Sequence, residues 1–196
     1  MDNLYILSRA VDEQIKENRG KAFAFFADLK ATFDGLNRTK MIDILKKLDV
    51  EKRLLYKIEE IYQETNNVVR ENQGDIATFW TTKGIRQECP LSSSLFSLYI
   101  ADLENILKKA QDGGLILGRK KFLSLCYADD IDMVARDEEQ MRAMLETFKK
   151  YLTRKELSLN VNKSKVMVFK RKKKPKENME LGRWKKWNIL SIWDIY

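Results

Sequence analysis

Residues 22–27 read Ala-Phe-Ala-Phe-Phe-Ala, six positions in a row without a polar side chain. Successive residues of an extended segment face opposite sides, so a run that is apolar at every position suits a strand buried on both faces. The run is also far too short to cross a bilayer. It stops at Asp28, which leaves a carboxylate at the edge of a core.

The same pattern recurs in "FLSLCYADDIDMVA", residues 122–135, where Asp129, Asp130 and Asp132 sit between two apolar runs in what reads as a hairpin. Turn chemistry is one explanation, because aspartate bonds its own backbone in tight turns. The flanks are too apolar for an exposed loop, however, and burying unpaired carboxylates carries a large desolvation cost. Bound metal is the natural compensation. Three carboxylates on adjacent strands suit two divalent cations about 3.5–4 Å apart, an arrangement for phosphoryl transfer.

Composition narrows the chemistry further. The 196 residues include no histidine, which excludes Ser-His and Cys-His catalysis and His-ligated zinc. Cys89 and Cys126 are far apart in apolar surroundings and support neither a disulfide framework nor a zinc site. Reduced thiols point to an intracellular protein, nuclear or cytoplasmic residence being left open. Asp2 follows Met1 where a signal peptide would place basic and apolar residues. Carboxylates, lysines, hydroxyls and a hard cation such as Mg²⁺ remain. The net charge of +8 is concentrated: residues 154–176 carry ten basic side chains against Glu156. Such a stretch is either a contact for a polyanion or a solvated linker.

Helical spacing appears over residues 3–18, 39–48, 51–64, 92–110 and 137–155, the last with Asp137 as N-cap. "NNVVREN" and "IATFW" flank a polar tip and read as a second hairpin, and "KVMVF" as a strand. The fold class is α+β, a small antiparallel sheet of three or four strands covered on one face by helices. Residues 1–170 form the body, and 171–196 a basic, Trp-containing tail without clear fold.

"FFADLKATFD", "GIRQECPLSSSLFSLYI" and "YADD" follow one another in that order, with "LSLNVNKSKVMVF" behind them. Over residues 1–170 the chain thereby resembles the reverse transcriptase domain of non-LTR retrotransposons and group II intron-type elements, a polymerase palm with part of the fingers. The resemblance implies an RNA-directed DNA polymerase that takes an RNA template, a DNA primer and dNTPs, with no membrane partner and with the oligomeric state undetermined. It implies that Asp28 and Asp129 hold two Mg²⁺ ions, for which Mn²⁺ can substitute, with Asp130 in support and the Leu29 carbonyl completing a shell. Phe33 takes the place of an aromatic gate that crowds a 2′-hydroxyl; its alternative is a core phenylalanine. Arg86 and Gln87 match the loop that supports the incoming nucleotide and template base, or form an ordinary polar loop. Lys163 matches a proton donor to leaving pyrophosphate, with Lys165 as competitor. Leu125 and Tyr127 are expected to pack beneath the aspartates.

Two departures bear on activity. The family pattern has glycine after Arg-Gln, where this chain has Glu88; a glycine there tolerates positive φ and close approach of a nucleotide. Ser93 replaces a proline. The first residues read as a point already inside the fingers and the last ones match no thumb, so impaired synthesis is expected. The alternatives are a catalytically inactive nucleic-acid-binding remnant, in which Trp184 and Trp187 stack on unpaired bases beside lysines, and an open reading frame without molecular role.

Overall fold

The structure is a computed structural model that describes residues 3–17, 20–63, 65–71, 74–111, 113–170 and 188–190. Its centre is a five-stranded antiparallel sheet. Strand β1 (Lys21–Ala27) carries the apolar run, and β7 (Ser124–Tyr127) and β8 (Asp130–Ala135) are the arms of the acidic hairpin. With β10 (Lys165–Lys170) and β11 (Asn188–Leu190) the strand order is β11-β10-β1-β8-β7. The fifth strand, β11, lies in what the sequence reads as a tail, and it pairs Val166 with Leu190 and Val168 with Asn188. The basic residues 171–176, Trp184 and Trp187 fall outside the described residues.

Alternation in β1 divides the core in two. Phe23, Phe25 and Ala27 face helices α2 (Arg38–Lys47), α3 (Lys52–Gln63), α4 (Pro90–Ile100), α5 (Leu103–Ala110) and α6 (Glu138–Lys155). Phe25 meets the Phe148 ring of α6 edge-on at 6.2 Å. Ala22 and Ala24 face the other way, against Leu7, Ala10 and Val11 of helix α1 (Asn3–Glu17). The small alanines let α1 approach the sheet closely. Helices thus cover one face, as the sequence pattern implies, and α1 supplies the second cover that an all-apolar strand requires. Three two-stranded ribbons complete the fold: β2 (Leu29–Lys30) with β9 (Ser158–Leu159), β3 (Thr65–Glu71) with β4 (Gly74–Thr81), and β5 (Leu115–Leu117) with β6 (Lys120–Phe122). No helix among the described residues is long and apolar enough to cross a membrane.

One expected helix is two. The apolar stripe over residues 92–110 predicts a continuous core helix, yet the chain breaks between Ile100 and Leu103. Asp102 stands at this break. Its carboxylate accepts from the Tyr151 hydroxyl at 2.9 Å and pairs with the Lys155 ammonium at 2.9 Å and Arg154 at 3.5 Å, all at the end of α6. Lys155 is buried, donates to the Tyr99 carbonyl at 2.7 Å, and its own carbonyl accepts from the Tyr99 hydroxyl at 2.6 Å. Burial, with the charges of Glu156 and Asp102, pushes that hydroxyl up to about 12, so it stays a donor at any physiological pH.

This reciprocal clasp predicts a stability effect. Lys155→Met leaves the Tyr99 carbonyl and Asp102 without their ammonium partner. Removing one member of a buried pair costs about 3–5 kcal/mol, and the half-exposed Asp102 lowers that to about 2–3 kcal/mol. In a domain of this size the melting temperature should fall by about 5–10 °C, measured by circular dichroism. A shift below about 2 °C would show that the clasp adds nothing.

Candidate active site

The end of β1 and the tip of the β7–β8 hairpin share one edge of the sheet. Phe26 pairs with Asp132 and Ala27 with Ile131, so one further step of the register brings Asp28 level with Asp130. Tyr127 pairs with Asp130 and closes a two-residue turn of Ala128 and Asp129. Carboxylates about a hundred positions apart in the chain, Asp28 and Asp129, therefore stand on adjacent strand ends. Of the two turn residues only Ala128 has positive φ, at 52°. That is the pattern of a II′ turn, which favours glycine at this position, and alanine there stores about 1–2 kcal/mol of strain.

The backbone of Asp28 is held from the other side. Its N–H donates to Ser164 Oγ at 3.0 Å, and its carbonyl accepts from the Asn160 N–H at 2.7 Å. Residues 160–164 form the turn that enters β10, closed by the Ser164 N–H donating to the Asn160 carbonyl at 2.8 Å. Lys163 is exposed on this turn, one residue before the Ser164 that holds the Asp28 backbone. Its competitor Lys165 donates instead to the Asn162 carbonyl within the turn. Leu29 is buried, pairs with Leu159, and its carbonyl accepts from Thr32 Oγ1 at 3.3 Å, which leaves one lone pair.

Charge at this edge is crowded. Asp28 and Asp129 are half-buried and Asp130 is exposed. Asp132, on the same face of β8 as Asp130, is pushed up to about 6 by burial first and by the neighbouring Asp130 charge second. A carboxylate held near its own neutralisation is the electrostatic setting that a cation relieves. Among the described residues no three carboxylates or thiols converge on one ion. The donor set is oxygen only: Asp28, Asp129 and a main-chain carbonyl. That fits Mg²⁺, which is bound through one or two carboxylates with waters and substrate phosphates. It does not fit zinc.

The two residues expected beneath the aspartates divide. Leu125 is half-buried against the α1 face. Tyr127 is 75% exposed and supports nothing. It is the last residue of an edge strand, next to Cys126, whose carbonyl accepts from Asn3 Nδ2 of α1 at 3.4 Å.

A second part of the site lies along the chain from Asp28. Residues 33–36 and 84–87 are laced together: the Ile85 N–H donates to the Phe33 carbonyl at 2.7 Å, the Gly84 N–H to Leu36 at 2.8 Å, and Gln87 Nε2 to both Asp34 carboxylate oxygens at 3.0 and 3.2 Å. Gly84 has φ +81°, and a Cβ on it would lie 2.7 Å from the Asp34 carbonyl oxygen. Only glycine permits that lacing. Above it opens a cleft of about 550 Å³ lined by Phe33, Arg86, Gln87, Glu88, Cys89 and Ser92, among others. Phe33 is half-buried and packs on the Phe96 ring at 5.9 Å, so it is a core contact and a cleft wall at once. Glu88, exposed in the cleft, has φ 58°, the left-handed conformation that the glycine it replaces would adopt freely.

Cys89 separates from Cys126 in a testable way. The Leu91 N–H at the start of α4, with Ser92 and Arg86, lowers the Cys89 thiol from its ordinary value. Cys126 is exposed as a residue, yet burial around its sulfur, with Asp132 and Glu104 adding repulsion, pushes its thiol up to about 11. At pH 7.5 iodoacetamide should alkylate Cys89 at least about tenfold faster than Cys126, because the thiolate is the nucleophile. Peptide mass spectrometry over time reads this out, and equal rates would contradict the assigned environments.

The sequence pattern does not single out Asn160, Ser164 or Gly84. Asn160 and Ser164 lie inside the quoted "LSLNVNKSKVMVF" but carry no charge to draw attention. Gly84, in "KGIRQ", was the one available signal.

A family model described as reverse transcriptase (RNA-dependent DNA polymerase) matches residues 3–190. The Transposon TX1 uncharacterized 149 kDa protein of Xenopus laevis is 25% identical over 170 residues, covering 85% of this chain and 13% of the relative. A retrovirus-related Pol polyprotein from type-1 retrotransposable element R2 of Nasonia vitripennis is 23% identical, covering 97% of this chain and 20% of its own. The chain thus spans a fifth or less of these two relatives. In fold it is similar to the apo telomerase of Candida tropicalis truncated from its C-terminal domain, with TM-score 0.60, 13% identity, and coverage of 88% of this chain and 36% of the other. The telomerase of Candida albicans in complex with a fragment of telomeric RNA gives TM-score 0.60 at 16% identity, over 91% of this chain and 31% of that one.

Proposed function

Because the chain belongs to the reverse transcriptase (RNA-dependent DNA polymerase) family, we propose that it extends a DNA primer on an RNA template by phosphoryl transfer from dNTPs at the Asp28–Asp129 edge. The observation that carries this reading is the register that brings the end of β1 level with the β7–β8 turn. In the reaction the primer 3′-hydroxyl gives its proton to solvent water and attacks the α-phosphorus; the new O–P bond forms as the bond from the α-phosphorus to the bridging oxygen of the β-phosphate breaks, and pyrophosphate leaves. Asp28 and Asp129 are the residues that would hold two Mg²⁺ ions. When bound, such ions neutralise phosphate charge and favour the ionised hydroxyl.

The chain's own groups do the rest. Arg86 brings positive charge to the triphosphate in the cleft, and Gln87, fixed by Asp34, supports the base pair being formed. Phe33, immobilised against Phe96, crowds the 2′ position and favours deoxynucleotides. Lys163 delivers a proton to the departing pyrophosphate. Asp28 is anchored through its backbone by Ser164 and Asn160, so its position is set before substrate arrives.

The test is incorporation of dNTPs by the purified chain on an RNA template with a DNA primer, with and without Mg²⁺. Mg²⁺-dependent extension abolished by EDTA is expected. Extension that persists in EDTA would refute the assignment of the acidic edge. Glu88 favours a second reading, a nucleic-acid-binding remnant in which template is held and synthesis fails. RNA affinity falling steeply with salt, without incorporation, would support it.

A further inference from the structure

We propose that Arg38 is a positioning residue for nucleotide use: it clamps the loop of residues 84–88 to the β3–β4 ribbon and to α3, and so sets where Arg86 and Gln87 meet the substrate. The proposal rests on the polymerase reading above.

Arg38 is the first residue of α2, where a cation opposes the helix dipole. Its residue is 9% exposed, and among the described residues no carboxylate forms an ion pair with it. Burial and the nearby Arg86 charge both disfavour its ionised form. Burial, the helix dipole and the Arg86 charge therefore act against an arginine at this position, and its hydrogen bonds together with Tyr62 offset them. Nε donates to the Gly84 carbonyl at 2.7 Å, Nη1 to the carbonyls of Tyr62 at 3.0 Å and Thr81 at 2.6 Å, and Nη2 to Thr81 Oγ1 at 3.3 Å. One planar fork thus joins the end of α3, the end of β4 and the start of the loop. A lysine could not span these three segments.

The tie continues past the fork. The guanidinium lies over the Tyr62 ring at 5.8 Å, and the Tyr62 hydroxyl shares a hydrogen bond of 3.2 Å with Ser92 Oγ, which lines the cleft. Arg38 touches no substrate. It acts through Gly84, whose own N–H is bound to Leu36.

The experiment is native-state hydrogen exchange on the full chain, wild type against Arg38→Gln and Arg38→Lys, paired with dNTP kinetics. In Arg38→Gln the amides of Gly84 and Ile85 should exchange about tenfold faster while those of β1 stay unchanged. KM for dNTP should rise about tenfold with kcat within about threefold, and Arg38→Lys should fall between. Unchanged loop amides in both variants would overturn the proposal, as would acceleration spread evenly over β1 and the loop in both. So would a dNTP KM that does not move. If no chain, wild type included, incorporates nucleotide, the polymerase reading fails while the exchange pattern still decides whether Arg38 holds the loop.

Discussion

Asp129→Asn should lower nucleotide incorporation by at least about 10³-fold and leave the melting temperature within about 2 °C of wild type. The first half follows from charge. Asparagine keeps the size and one oxygen of aspartate but removes the negative charge on which cation binding depends, and charge stabilisation by such ions is worth several kcal/mol in the transition state. The second half follows from the turn. Asp129 is half-buried in a two-residue turn at the tip of the hairpin, and the side chain of asparagine is as well suited to turns as that of aspartate. Asp28→Asn should behave alike, because its backbone contacts with Ser164 and Asn160 do not use the side chain. Asp130→Asn, at an exposed carboxylate, should cost less than either. Steady-state single-nucleotide extension beside a thermal melt measures both halves. Activity within about tenfold of wild type, in a chain that still melts normally, would remove Asp129 from the mechanism.

What the sequence disclosed is what local pattern carries. The six apolar residues before Asp28 dictate a strand buried on both faces, so a carboxylate at a strand end was legible in each of two short segments; a run with no alternation leaves the register open, and the structure supplies it. The left-handed conformation of Glu88 was likewise foreshadowed by the glycine it replaces. Long-range polar bonds were not legible. The apolar stripe gives no sign of the helix boundary at Asp102, whose partners Tyr151 and Lys155 are about fifty residues downstream. Arg38 reads as an ordinary helix residue until the carbonyls of Tyr62, Thr81 and Gly84 converge on it. Tyr127 shows the converse. Its position in an apolar run suggests burial, and the edge strand on which it ends leaves it exposed.

Glu88→Gly should raise incorporation at low dNTP by about tenfold or more, and the gain separates into two parts. One is backbone. At φ 58° a residue with a Cβ stores about 1–2 kcal/mol that glycine does not, although glycine also gains entropy in the unfolded chain, so overall stability should change by less than about 1 kcal/mol. The other part is charge. Glu88 is exposed in the cleft that Arg86 and Phe33 line, and a like charge at 4 Å from a triphosphate oxygen costs about 1–4 kcal/mol according to the local dielectric. Glu88→Gln distinguishes the two, since it removes the charge and keeps the strained Cβ. If electrostatics dominate, glutamine recovers most of the gain and the effect lies in KM for dNTP, shrinking at high salt. If strain dominates, glutamine resembles wild type and only glycine recovers activity, with kcat moving too because the loop that carries Arg86 and Gln87 resets. Should neither variant raise incorporation above wild type, Glu88 is not what limits this chain.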